Sequence, residues 1–197
     1  MGRFIGPKRK LAKKFNDGIF CRGFNIKKTN NTAKANLKKK TEYGMLLSSK
    51  EKIICLYNIR EGQLTNYVRS ASAREGNSEN ILASLLESRL DNVIYRLGMG
   101  KTRSMCRQLV SHGYILVNGE MVNIASYSLK VNDVISFNKN KHINKDSFYM
   151  QWNDNLNIYK WLTWNDEKKE GTVLAIPSIE DIPERINIKG VIEMYAR

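Results

Sequence analysis

At 197 residues and 42% hydrophobic content, the chain is long enough to bury one full core or two small ones. It has no apolar run long enough to span a membrane and no secretory-signal core at residues 1–7, and Cys21, Cys55 and Cys106, far apart and without a C-x-x-C pair, argue against a zinc site or a disulfide framework. The net charge of +14 is concentrated at one end: residues 1–40 hold 13 Lys or Arg against a single acid, Asp17.

That basic stretch is Lys- and Asn-rich with little periodicity, and Gly18, Gly23 and the Asn30-Asn31 pair break any helix in it. It reads as an extended basic arm, ordered mainly by an anionic partner that relieves its self-repulsion. A solvated basic tail is the plain alternative. A membrane surface fits less well, because the arm lacks the sustained apolar face of an interfacial helix. Helical patterning begins with residues 43–57 and 63–73, separated by a break near 58–62. Residues 75–78 form a turn, with Ser78 placed to cap the next helix. Ile81, Leu82, Leu85, Leu86, Leu90, Val93, Ile94 and Leu97 then make one apolar stripe at helical spacing, stopped by Gly98. Arg89, Asn92 and Arg96 share the polar face of that predicted helix. Thr102 caps the following helix, which runs to about His112, with Gly113 at its end. Its inward residues are Met105, Cys106, Leu109 and Val110, and Arg103 and Arg107 sit one turn apart on the outer face. Strands over 114–117 and 120–124 flank Asn118-Gly119, a pair that favours a type I′ hairpin turn. A further strand covers 134–137, loops follow to 158, residues 161–164 and 172–176 read as a hairpin pair, and Ile188, Val191, Ile192 and Tyr195 mark a terminal helix.

Several signals resemble reaction chemistry. Gly100-Lys101-Thr102 evokes a phosphate-binding loop, but the required earlier glycine position is Tyr95 and a helix, not a strand, precedes it. Ser111 and His112 are helix neighbours that point apart, and His142 is remote. The acids are scattered, so no acid–base pair stands out. Trp152, Trp161 and Trp164 fit a core better than a base-stacking surface. Taken alone, Arg103 with Arg107 reads equally as a solvated face or as an anion-gripping edge. Arg89 and Arg96 on the adjoining helix, Lys101 at the join and the basic arm tip the balance towards a polyanion such as folded RNA.

The run from Leu86 through Ser88-Arg89-Leu90-Asp91-Asn92 to Tyr95-Arg96-Leu97-Gly98 is very similar to the central motif of the small ribosomal subunit protein four family. So is the run from Arg107-Gln108-Leu109 through Ser111-His112-Gly113 to Val117-Asn118-Gly119. The likeness continues through 122–127, appears at the start in Arg3-Phe4-Ile5-Gly6-Pro7-Lys8, and returns at 161–164, 170–172 and 191–195. It covers nearly the whole chain in order, and the bacterial and organellar branch fits best.

The resemblance implies an α+β protein: a helical domain and a small αβ RNA-binding module with a short antiparallel sheet, preceded by the basic arm. It implies an arm over 1–40, a helical domain over 41–85 completed by 177–197, a module over 86–150 and a joining segment over 151–176. The terminal helix is expected to pack back on 41–85. It further implies binding of small-subunit ribosomal RNA in the 5′ domain, early in assembly, beside ribosomal proteins three and five, with a link to decoding accuracy. Carried over by position, the RNA-binding residues are Arg3, Lys8, Arg9 and Lys10 in the arm and Arg89, Arg96, Lys101, Arg103, Arg107, His112 and Asn118 in the module. No catalytic residue, cofactor, metal or membrane partner is implied. Some members carry a four-cysteine zinc site near the N-terminus, whereas Cys21 stands alone here. The helix over 43–57 also has Ser48, Ser49, Ile53 and Ile54 where the family is expected to be more basic. The start aligns with mature members, so the expected location is the ribosome of the compartment of synthesis, bacterial cytoplasm or organelle matrix. RNA-modifying enzymes share the module, but too few residues follow it here to build their catalytic domain.

Overall fold

The computed structural model describes residue 15 and residues 41–138, 159–184 and 186–196. The predicted arm lies almost wholly outside these, as does most of the predicted loop over 138–158. The described residues form six α-helices, a five-stranded antiparallel sheet and a short 3-10 turn, the α+β class expected. The chain divides into two compact units, Met1–Ala73 with Arg185–Arg197, and Arg74–Glu184.

The first unit is helical. Helix α1 (Glu42–Tyr57) starts at Thr41, whose side chain accepts from the Gly44 amide, and ends on Asn58 in the left-handed region at φ 53°. Helix α2 (Glu61–Ser72) follows after a three-residue break. The C-terminal helix α6 (Ile188–Ala196) packs on both, as expected for a segment that closes this unit. Its close approach is local and steric: a Cβ at Gly190 would lie 3.0 Å from Leu46 Cδ2. Ile53, Leu56, Ile59, Leu64, Val68, Ile188 and Val191 are buried here.

The second unit is built on the sheet, in the order β2-β1-β3-β5-β4. Its strands are β1 (Ile115–Val117), β2 (Glu120–Met121), β3 (Val134–Phe137), β4 (Leu162–Asn165) and β5 (Glu170–Val173). Asn118 and Gly119 make the β1–β2 turn with φ of 52° and 86°, the positive pair that a type I′ turn requires. The expected second strand over 120–124 is cut to two residues, because the chain leaves the ladder to run beside the helices. The hairpin expected at 161–164 and 172–176 is present with its second strand shifted towards the turn. Helices α4 (Leu90–Arg96) and α5 (Arg103–Ser111) share one core with the sheet, including Val93, Ile94, Leu97, Cys106, Leu109, Val110, Ile115, Ile135, Trp161 and Val173. Trp161 is therefore core, and Trp164 packs against that core with its indole N–H donating to Asp166. Gly171 in β5 faces Leu97 so closely that a Cβ would overlap that side chain.

The long helix expected from Ile81 to Leu97 is two helices, α3 (Ser78–Glu87) and α4, with Asn77 rather than Ser78 capping the first. Arg89 is extended, at φ −64° and ψ 136°. The break is stabilised by partners far along the chain. The Leu90 and Asp91 amides donate to the Tyr127 and Ala125 carbonyls, the Leu129 amide donates to the Ser88 carbonyl, and Arg89 bridges Ser128. Periodicity does not register such a break, since the apolar stripe resumes on the same side after it. Helix α3 packs on α4 and on the 3-10 turn Ile179–Asp181, so it belongs with the sheet unit. The boundaries therefore fall at 73/74 and 184/185, and residues 74–85 and 177–184 go with the module rather than with the helical domain.

Candidate nucleic-acid interface

Of the expected residues that the structure describes, most lie on or beside the α4–α5 corner. Gly98, at φ 74°, ends α4: its amide donates to Tyr95 and the Met99 amide donates to Ile94, a Schellman closure open to glycine because of the left-handed backbone. The Thr102 hydroxyl accepts from the Met105 amide and starts α5, as expected. Gly100 lies against Cys106, where a Cβ would come within 2.7 Å of the sulfur. The Gly-Lys-Thr run is thus a helix-to-helix turn. Burial pushes the Cys106 thiol pKa well up, helped by the Asp91 charge, so this sulfur is an inert core group.

The four arginines of the corner do not share an outer face. Arg89, Arg96, Arg103 and Arg107 keep only 1%, 5%, 7% and 6% of their surface exposed. Each is turned inward by a carboxylate, because burying a guanidinium without one is prohibitive. Arg89 makes a forked pair with Asp91, at 3.0 Å (Nε–Oδ1) and 2.7 Å (Nη2–Oδ2). Asp91 Oδ2 also faces Arg107 Nη1 at 3.7 Å. Arg96 forks onto Glu87 at 2.9 Å and 2.7 Å and onto Glu184 at 3.0 Å and 2.6 Å, and it lies 5.0 Å over the Tyr159 ring while donating to its hydroxyl. Arg103 donates to Glu184 Oε1 at 2.9 Å and to Asn92 Oδ1 at 2.8 Å, with its guanidinium 4.4 Å over Tyr95. Asn92 completes the set by donating to the Glu87 backbone carbonyl at 3.0 Å and its carboxylate at 2.7 Å.

The electrostatics follow from this pairing. Burial would lower the Arg96 pKa, but the hydrogen bonds and charges of Glu87 and Glu184 outweigh it and hold the group well above its usual range. Burial would raise Glu184, but the Arg103 charge and the Arg96 hydrogen bond and charge bring it down to about 2. Glu184 was not visible in the motif: it is 88 residues from Arg96 and 81 from Arg103. Glu87 and Asp91 lie inside the motif, and their alternation with the arginines was the readable sign of internal pairing.

The remaining expected residues are placed differently. Lys101 is half-buried in the α4–α5 turn, and His112 and Asn118 are exposed. His112 caps α5 and its ring stacks with that of Tyr114, centroids 6.3 Å apart and planes inclined by 21°. The Asn118 side chain accepts from the Val134 amide and donates to Asp133, both at 2.9 Å, which locks the hairpin tip to the following turn. Gln108 and Ser111, which the motif contains but which were not among the expected RNA-binding residues, are exposed on α5. Arg3, Lys8, Arg9 and Lys10 lie outside the described residues. Lys101 is thus carried by a corner stiffened from within by ion pairs, while His112 lies at the other end of α5 and Asn118 at the hairpin tip.

Comparison with known proteins covers the same ground. Residues 88–135 match the S4 domain, and residues 3–87 match the ribosomal protein S4/S9 N-terminal domain. The chain is 40% identical to small ribosomal subunit protein uS4 of Christiangramia forsetii and 39% identical to that of Amoebophilus asiaticus, in each case over 100% of both chains. It is 36% identical, again over 100% of both chains, to the uS4 of Akkermansia muciniphila. With end-to-end likeness at this level and an S4 domain that includes the α4–α5 corner, the chain belongs to the small ribosomal subunit protein uS4 family.

Proposed function

We propose that the protein is a structural constituent of the small ribosomal subunit that binds small-subunit ribosomal RNA in its 5′ domain, carries out no reaction, and supports assembly and decoding accuracy beside ribosomal proteins three and five. The observation that carries this reading is the full-length likeness to uS4 relatives. The strongly basic first 40 residues support it, since lysines and arginines that neutralise phosphates release condensed counterions. RNA helices hide most base edges, so a stiff surface that fits a junction discriminates by shape. In this reading Arg3, Lys8, Arg9, Lys10, Lys101, His112 and Asn118 meet the RNA. Arg89, Arg96, Arg103 and Arg107 serve the same interface from beneath, by fixing the corner that presents it. The protein works within the ribosome of a bacterial cytoplasm or an organelle.

The test is binding of the full chain to a 5′-domain fragment of small-subunit RNA across a salt series, with and without residues 1–40. The full chain is expected to bind with affinity that falls steeply with salt, and the truncated chain with a flatter slope. An intact, folded chain that ignores this RNA at moderate salt overturns the reading, and an unchanged slope removes the arm from the interface.

A further inference from the structure

Neither family match reaches Glu184, which lies beyond residues 3–87 and 88–135. Yet its carboxylate joins the two helices of the corner. Oε1 accepts from Arg96 Nη1 at 3.0 Å and from Arg103 Nη2 at 2.9 Å, while Oε2 accepts from Arg96 Nη2 at 2.6 Å. Arg96 is the last residue of α4 and Arg103 the first of α5. One buried anion therefore staples both ends of the turn that carries Lys101. The segment that delivers it is itself anchored. The Leu174 amide donates to the Trp161 carbonyl, Asp181 accepts from the Ser178 amide and hydroxyl at 2.8 Å each, and the 3-10 turn rests on α3. Arg96 also holds Glu87 at the end of α3, so the staple is braced on its far side.

We propose that Glu184 is a positioning residue for RNA recognition, acting through Arg96 and Arg103 to hold the 98–102 turn, and with it Lys101, in the binding orientation. The inference rests on the RNA-binding reading above. Fixing a contact group before association removes an ordering cost that binding would otherwise bear, so loss of the staple weakens affinity without removing any group that meets the RNA. A carboxylate is specifically required, because it alone accepts from three guanidinium N–H groups while neutralising charge in the buried site.

The experiment is a double-mutant cycle on the full chain, with a 5′-domain fragment of small-subunit RNA as probe. Its single variants are Glu184→Gln and Lys101→Ala, each measured at a temperature where circular dichroism shows a folded protein. Glu184→Gln is expected to weaken binding by about tenfold. Lys101→Ala is expected to weaken binding in the wild type and to have little further effect in the Glu184→Gln background, because the turn is already released. If Glu184→Gln does not fold, Glu184→Asp, which keeps the charge on a shorter stem, takes its place in the same cycle. Additive losses, or a Glu184 variant that lowers stability but leaves affinity unchanged, overturn the proposal. Failure of the wild type to bind is seen before any variant is made, and it overturns the RNA-binding reading itself.

Discussion

Arg96 is a heavily committed side chain of the module. It meets two carboxylates and a tyrosine, from α3, from the segment before β4 and from the end of the strap after β5. Its removal would take from Glu87 and Glu184 the guanidinium they share and leave two buried carboxylates facing one vacated position. Arg96→Ala is therefore expected to cost about 3–5 kcal/mol in urea denaturation, far more than an exposed ion pair would. Glu184 gives the same network a pH signature. Its pKa falls on folding from an ordinary 4.5 to about 2, so its contribution is complete above about pH 4.5 and is lost as the pH drops towards 2. The difference in stability between wild type and Glu184→Gln should be level from neutral pH to about 5 and shrink by about 3 kcal/mol on acidification. A difference that stayed constant through this window would mean that the carboxylate is not held by its arginines. At this scale the sequence was half legible. Arg89, Arg96, Arg103 and Arg107 stood out as a set, but their spacing on helices was the same for an outward grip as for an inward brace. The deciding partner, Glu184, sits in a stretch with no pattern of its own.

Helix and strand identities were legible where chemistry is local. Thr102 caps α5, Gly98 closes α4, and Asn118-Gly119 turns the first hairpin, each for reasons contained in a few residues. The break between α3 and α4 was not legible, because its stabilising hydrogen bonds come from 125–129 and the apolar stripe runs on through it. The weak spot of β5 is likewise a tertiary matter. Gly171 occurs in a strand interior, where glycine usually costs stability, and it is there because Leu97 from the end of α4 occupies the space of a side chain. Gly171→Ala should force Leu97 off its rotamer and destabilise the protein by about 1–3 kcal/mol in thermal or chemical denaturation. Wild-type stability would show that Leu97 has room to move.

At the scale of the molecule, each unit is completed by a segment that arrives late in the chain. Helix α6 closes the first helical unit on α1 and α2, and the strap over 174–184 closes the second on α3, α4 and α5. Family likeness foresaw the first closure. It did not foresee the second, since the boundary was placed by motif and the tie is ionic. Charge follows the same division of labour. The basic excess is concentrated in residues 1–40, while the described arginines of the corner are matched with acids inside the fold.

The kink at Ser88–Arg89 has a dynamic corollary. First-turn amides of a helix ordinarily exchange their protons with solvent within moments, having no carbonyl behind them. Those of Leu90 and Asp91 are spoken for by Tyr127 and Ala125. In deuterated buffer they should persist as long as the Leu97 amide, which is bonded to the Val93 carbonyl at the other end of α4, and vanish early only if the 125–129 loop peels away on its own. Peeling of that loop, rather than fraying of α4, would then be the first step by which this module comes apart.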